Sequence, residues 1–139
     1  MHVIIAGCGR LGSNLARELA DKGYDVAVIE QDNEKLKSLQ SGFNGLKIKG
    51  VEFDNDNLVE AGIRNADAVF AVSADDNINI TVSLIARKIY GVPKIIARIN
   101  DPHRENIYKK LGIETISPVQ LSVDLLKDCL ASNPAESKL

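Results

Sequence analysis

The sequence is poor in the residues that announce several kinds of chemistry. It has only two cysteines, Cys8 and Cys129, far apart and without metal-ligand spacing. Neither a disulfide framework nor a zinc cluster can be read from them, and a reducing cytoplasm is the expected compartment. Its two histidines, His2 and His103, have no evident serine or cysteine partner, so both are read as surface residues. No apolar stretch approaches the roughly 20 residues of a membrane span. Positive charge is not in surplus: 17 Lys and Arg stand against 19 Asp and Glu, for a net charge of −2. With no basic run and no basic patch interleaved with aromatics, nucleic-acid binding has no support. The N-terminus enters a strand pattern at once, which leaves no room for a signal peptide.

What remains is an ordinary soluble composition, 45% hydrophobic and 26% charged, in 139 residues. That length suits one domain with a real core and is short for two.

The informative stretch comes first. An apolar run, Val3 to Ala6, enters Gly7-Cys8-Gly9-Arg10-Leu11-Gly12, three glycines spaced G-x-G-x-x-G. A helical pattern leaves it, with Leu11, Leu15 and Leu19 four apart. Strand, tight turn and helix are the context in which this motif binds a dinucleotide. Gly7 suits the turn, Gly9 lets backbone approach a pyrophosphate, and Gly12 lets the helix pack close to the strand. The positive helix end then faces the phosphates. Cys8 is read as a small filler. A second strand, Asp25 to Ile29, ends in Glu30, 18 residues after Gly12. A carboxylate there can accept ribose hydroxyls and repels a 2′-phosphate, so NADP is disfavoured.

The rest of the chain repeats the alternation. Asp32 caps a helix through Leu36 and Leu39, ending near Gly42. Gly45 to Lys49 alternates like an edge strand. Asp54 to Asp56 precede a short helix closed by Gly62. Ala66 to Val72 reads as a buried strand, followed by a helix ending near Tyr90-Gly91. Lys94 to Ile99 is a fifth strand. Asp101-Pro102 starts a helix reaching Leu111-Gly112, and Glu114 to Ile116 is a short sixth strand. Asp54-Asn55-Asp56 and Asp75-Asp76 are read as helix caps rather than cation ligands. The fold class is therefore α/β, a Rossmann-like doubly wound parallel sheet in order 3-2-1-4-5-6. Ser117-Pro118-Val119-Gln120 is a capping box that opens a last helix, 118–131. It carries two apolar rows: Val119, Val123, Leu126 and Leu130 for the parent sheet, and Leu121, Leu125 and Cys129 for an interface. The domain is expected to span 1–131, with a polar tail, 132–139, that frays.

These residues resemble the TrkA-N family, the nucleotide-binding domains that regulate potassium conductance in channels and transporters (RCK, or KTN, domains). The resemblance is carried by Ile4 to Gly12, Val28-Ile29-Glu30, Leu58 to Ile63, Ala66 to Val69, Asp75 to Asn79 and Ile96 to Pro102. It implies a nucleotide, NAD(H) or an adenine nucleotide (ATP, ADP or AMP), lying over Gly7, Cys8, Gly9, Arg10, Leu11 and Gly12, with Glu30 on the ribose. Ser73 and Ala74 would lie beside it and Arg98 at the nucleotide or dimer cleft; Gln31, Gly50, Val51 and Asn79 complete the expected contact set. The resemblance further implies a last helix that crosses to a second copy, a homodimer able to build rings, and a membrane potassium channel or transporter as partner, so that the domain sits peripherally at the inner face. Two departures stand out. Gly50-Val51 replaces the family's Gly-Asp, and the family's C-terminal ligand-sensing domain is absent from this sequence.

The alternative class is an NAD-dependent oxidoreductase or a stand-alone dinucleotide redox sensor. Tyr90-Gly91-Val92-Pro93-Lys94 has the Tyr-x-x-x-Lys spacing of short-chain dehydrogenases, but Gly91 and Pro93 break the helix that would stack the two side chains. No residues remain for a substrate lobe. The domain is therefore expected to regulate rather than catalyse, by ligand-dependent rearrangement of a dimer.

Overall fold

Valine- and isoleucine-rich runs of four to six residues form the central strands. The computed structural model describes residues 1–132; residues 133–139 of the expected polar tail lie outside the described residues. Strand β1 is His2–Ala6, followed by α1 (Arg10–Asp21), β2 (Asp25–Glu30) and α2 (Asn33–Lys37). Then come β3 (Leu46–Lys49), α3 (Asn55–Glu60), β4 (Ala68–Ala71) and α4 (Asp76–Lys88). The chain continues through β5 (Lys94–Arg98), α5 (Glu105–Lys110), β6 (Glu114–Ile116) and α6 (Pro118–Ala131). All paired strands are parallel, and the six-stranded sheet has the order β3-β2-β1-β4-β5-β6, as the sequence implied.

Alternation along β1 divides the core into two layers. Val3 and Ile5 join Val28, Ala16, Leu36 and Leu39 on the face of α1 and α2. Ile4 and Ala6 join Ile29, Leu58, Val69 and Val82 on the opposite face. Both sheet faces are thus covered, and the central strands are apolar on both sides for that reason. Edge strand β3 buries only Ile48, and Leu46 stays exposed.

Several element ends differ from expectation. Helix α2 stops at Lys37, short of Leu39, because the chain reverses at Gln40, whose φ is 60°. Leu39 is buried all the same. A 3₁₀ turn, Ile63–Asn65, follows Gly62, and another, Pro102–Arg104, separates the Asp101 cap from α5. His2 is not a free surface residue. Its Nδ1 lies 2.9 Å from Asp25 Oδ2 and its Nε2 2.6 Å from the Ala61 carbonyl, linking β1 to β2 and to the end of α3.

Helix α6 corrects a larger expectation. Val119, Val123, Leu126 and Leu130 do not cover the parent sheet; no residue of α6 is buried, and Leu130 is 90% exposed. The helix follows an edge strand, with no further strand of the sheet to cover, and it stands away from the body.

Candidate functional site

The strand order reverses between β1 and β4, and the loops leaving these two strands meet at their carboxyl ends. In open α/β sheets this is where ligands bind. Gly7 has φ 107°, and a side chain there would sit 2.7 Å from the Ser73 backbone nitrogen. Only glycine allows this turn to touch the loop after β4. A Cβ on Gly12 would overlap the Gly7 carbonyl oxygen, so α1 packs directly on the turn. Above Gly9 there is open space, with nothing within 4 Å of a Cβ built there. Two of the three glycines thus serve the fold, and the third leaves room.

Helix α1 begins without a side-chain cap and has no acidic residue in its first turn. By contrast, Asp32, Asp54, Asp75 and Ser117 cap α2, α3, α4 and α6. The first N–H groups of α1 therefore meet the open space over Gly9 without a protein acceptor from a cap, and the helix dipole favours an anion there. Arg10 is exposed, and Leu11 packs partly against the core.

Glu30 closes one flank. It is 4% exposed, and its Oε1 accepts from Cys8 N at 2.8 Å and its Oε2 from Asp32 N at 3.0 Å. A carboxylate has about four acceptor positions, so capacity remains for hydroxyl donors. Cys8 fills the turn, its Sγ 4.0 Å from Ser38 Oγ. Burial pushes its thiol above the ordinary range; the Ser38 contact opposes this and Glu30 adds to it. A thiol so placed is a poor nucleophile. Gly50 donates to the Glu30 carbonyl at 3.0 Å and abuts Asn57, which leaves no space for a Cβ. Val51 is exposed, and its carbonyl accepts from Asn57 Nδ2 at 3.0 Å.

The other flank is built around Asn79. This residue is fully buried, and its amide is satisfied on all sides. Oδ1 accepts from Ser73 N and Oγ, both at 2.9 Å, while Nδ2 donates to Ser73 O at 2.9 Å and Arg98 O at 3.0 Å. Asn79 therefore holds the loop after β4 against the end of β5, and its side chain has nothing left for a ligand. Ala74 is exposed at the tip of that loop. Arg98 ends β5, and its buried Nε has no hydrogen-bond partner.

One residue of this region was assigned a different role from the sequence, and another was not singled out at all. Asp76 stands beside the capping Asp75 but does not cap. It accepts from Asn100 N at 2.7 Å, Asn100 Nδ2 at 2.8 Å and Asp101 N at 3.2 Å, tying α4 to the loop after β5. Glu52, 1% exposed, accepts from Gln31 N and Gln31 Nε2, both at 3.2 Å. Desolvation pushes its carboxyl above the ordinary range; backbone donors oppose this, and the neighbouring Glu30 adds to the rise.

The short-chain dehydrogenase pair is not assembled. The Tyr90 hydroxyl bonds Asn55, and Lys94 Nζ reaches Glu114 at 3.0 Å.

The chain resembles known proteins in both sequence and structure. It is 44% identical over 136 residues to the Trk system potassium uptake protein TrkA of Streptomyces coelicolor, covering 98% of this chain and 61% of that protein. It is 37% identical over 128 residues to a TrkA homolog of Methanothermobacter thermautotrophicus, covering 91% and 59%. The chain thus spans about three-fifths of the length of these relatives. Among solved structures, the TrkA-N domain of the Escherichia coli inner membrane protein ybaL aligns with a TM-score of 0.82 at 18% identity, covering 93% of this chain and 96% of that one. The Kef C-terminal domain of Shewanella denitrificans, in AMP-bound form, gives 0.78 at 24%, covering 95% and 82%. The GsuK channel bound to NAD gives 0.70 at 20%, covering 83% and 21%. At these identities the likenesses establish the fold. The family model of the TrkA-N domain matches residues 3–118, and the chain belongs to that family.

Proposed function

We propose that this domain binds an adenine-containing nucleotide across the switch point and regulates a potassium uptake system through it. The observation that carries the reading is the uncapped start of α1 over open space at Gly9, with buried Glu30 on one side. Ser73, whose backbone meets Gly7, and Arg98, whose buried Nε has no hydrogen-bond partner, would supply the other side, with a hydroxyl acceptor at Glu30 and a cation at Arg98. A ribose fits the first and a phosphate chain the uncapped helix. AMP in the Kef domain and NAD in the GsuK channel are the ligands held by two proteins of this fold. Gly7, Cys8, Gly9, Arg10, Leu11 and Gly12 would line the phosphates, with Gln31, Gly50 and Val51 near the base and Ala74 beside the ligand. Asn79 contributes as a strut.

The regulatory half of the reading rests on the TrkA relatives, whose names are those of potassium uptake proteins. Two copies joined through α6 would alter their relative orientation when nucleotide binds. The partner would be a membrane transporter or channel subunit, with this domain in the cytoplasm against it. Among the described residues no helix is long and apolar enough to cross a membrane. The engaged Tyr90 and Lys94 and the protonated Cys8 thiol give no support to an oxidoreductase or a redox sensor.

Calorimetric titration with NAD⁺, NADH, ATP, ADP, AMP and NADPH tests the first half. At least one unphosphorylated-ribose ligand should bind, and NADPH should bind weakly. Failure of all six to bind at about 1 mM, the weak end of specific recognition, would overturn the reading.

A further inference from the structure

The buried carboxyl of Glu52 has no role in the site described so far. It lies in the turn after β3, and Gln31, the residue between Glu30 and Asp32, donates to both of its oxygens. Glu30 accepts from Asp32 N, so the two carboxyls interleave along one three-residue stretch. Both are over 95% buried, at 4% and 1% exposure, and they take the backbone N–H groups of the consecutive residues Asp32 and Gln31.

We propose that Glu52 is neutral and donates its O–H to the Glu30 carboxylate, and that this proton must be in place for nucleotide to bind tightly. This inference rests on the nucleotide reading of the site. Two adjacent buried carboxylates repel each other in a medium that screens poorly. No cation is paired with either among the described residues. The charged groups on surrounding elements are engaged elsewhere or turned to solvent. Asp32 caps α2 through Glu34 N at 2.9 Å, and Asp54 caps α3 through Asn57 N at 3.2 Å. Lys49 is the β3 register partner of Glu30 and Lys47 stands two residues before it, both with exposed side chains; Arg10 is exposed, and Arg17 on α1 is engaged by the Ser38 carbonyl at 3.0 Å and Asn14 Oδ1 at 2.9 Å. Desolvation raises the Glu52 carboxyl and Glu30 raises it further. An arriving nucleotide brings phosphate charge to the same cleft. A site holding one negative charge accepts that anion more readily than a site holding two. Glu52 is thus a positioning residue that sets the charge of the ribose end without touching the ligand.

The test uses NAD⁺, whose pyrophosphate diester does not titrate in the neutral range. Its affinity is measured calorimetrically from about pH 5.5 to 8.5, a window that brackets raised carboxyl titrations, in buffers of different ionisation enthalpy. For the parent protein, affinity should fall as pH rises, by at most about tenfold per pH unit for one proton, with proton uptake on binding. Glu52→Gln should bind NAD⁺ with a flat profile and no proton uptake; Glu52→Ala serves where the amide perturbs folding. A second arm needs no ligand. Isotope-edited infrared spectra should contain a protonated-carboxyl band that persists above the ordinary carboxyl range and is lost in both variants. Identical pH profiles for parent and variants, or a band that those variants retain, would overturn the proposal. Absence of NAD⁺ binding by all the proteins at every pH would sink the nucleotide reading and the linkage, while the infrared band still decides whether the pair holds a proton.

Discussion

The backbone N–H of Cys8 donates to Glu30 Oε1 at 2.8 Å, so one buried side chain ties the glycine turn to the end of β2. The bond gives Glu30 a part in the fold as well as in the proposed ribose contact. Truncation to alanine leaves two donors without their acceptor, Cys8 N in a buried place and Asp32 N in a partly buried one. Each unmade bond of this kind costs about 1–3 kcal/mol. Glu30→Ala should lower stability in urea denaturation by at least about 1–3 kcal/mol, the cost of the buried Cys8 N bond alone, and weaken NAD(H) binding measured by calorimetry. Unchanged stability in the variant would mean that these donors find water instead.

Gly9 and Gly12 allow the fold and the ligand to be separated. A Cβ at Gly12 runs into the Gly7 carbonyl, whereas one at Gly9 meets nothing, and Gly9 has φ −73°, open to any residue. Gly12→Ala should therefore destabilise the domain by several degrees in thermal unfolding, in the range of about 1–3 kcal/mol for overpacking. Gly9→Ala should leave the melting temperature nearly unchanged and reduce nucleotide affinity, because the methyl group occupies the space a pyrophosphate would enter. Full affinity in Gly9→Ala would mean that the phosphates lie elsewhere.

The sheet order and the glycine turn were legible because their signals are local: apolar runs of strand length, glycines at fixed offsets and Asp or Ser before each helix. Glu52 was not, since it sits between the exposed Val51 and Phe53 in a turn where a carboxylate would be expected to face water. Its burial depends on Gln31, 21 residues earlier. Asp75 and Asp76 looked alike as caps, and only the fold assigns Asp76 to Asn100 and Asp101. The two rows of α6 were read as one inward and one outward, but periodicity gives the angle between rows and says nothing of which body each one meets.

The raised carboxyl of Glu52 has a consequence for stability. The folded chain keeps a proton that the unfolded chain releases at about pH 4.3, the ordinary glutamate value. Stability from this group is therefore fully present below that pH and declines as pH rises toward the raised value in the fold. Glu52→Gln should remove this component, so that the stability of the variant relative to the parent rises with pH above the unfolded value of about 4.3 and levels off once the raised folded value is passed, on denaturant titration. A parent and variant whose difference does not change with pH would contradict the assignment.

The last prediction concerns α6. Val119, Leu121, Val123, Leu125, Leu126 and Leu130 are between 42% and 90% exposed, on a helix about 21 Å long. A lone domain would leave all of them in water, and burial of each leucine is worth roughly 1.5–3 kcal/mol. At the root of the helix a groove runs between α5 and α6, with Ile99, Pro102, Ile116 and Leu121 beside polar residues that include Glu105 and Asp124. A helix with exposed apolar rows beside a groove of mixed polarity on one chain suits a symmetric pair, in which each contact is made twice. Leu121→Glu with Leu125→Glu would place four charges in such an interface and would cost a monomer little, since both side chains are half-exposed already. Sedimentation velocity at tens of micromolar should give a dimer for the parent and a monomer for the double variant, with circular dichroism unchanged. A parent that sediments as a monomer at that concentration would remove α6 as the dimer contact, and with it the proposed route by which a nucleotide over Gly9 would reorient two copies.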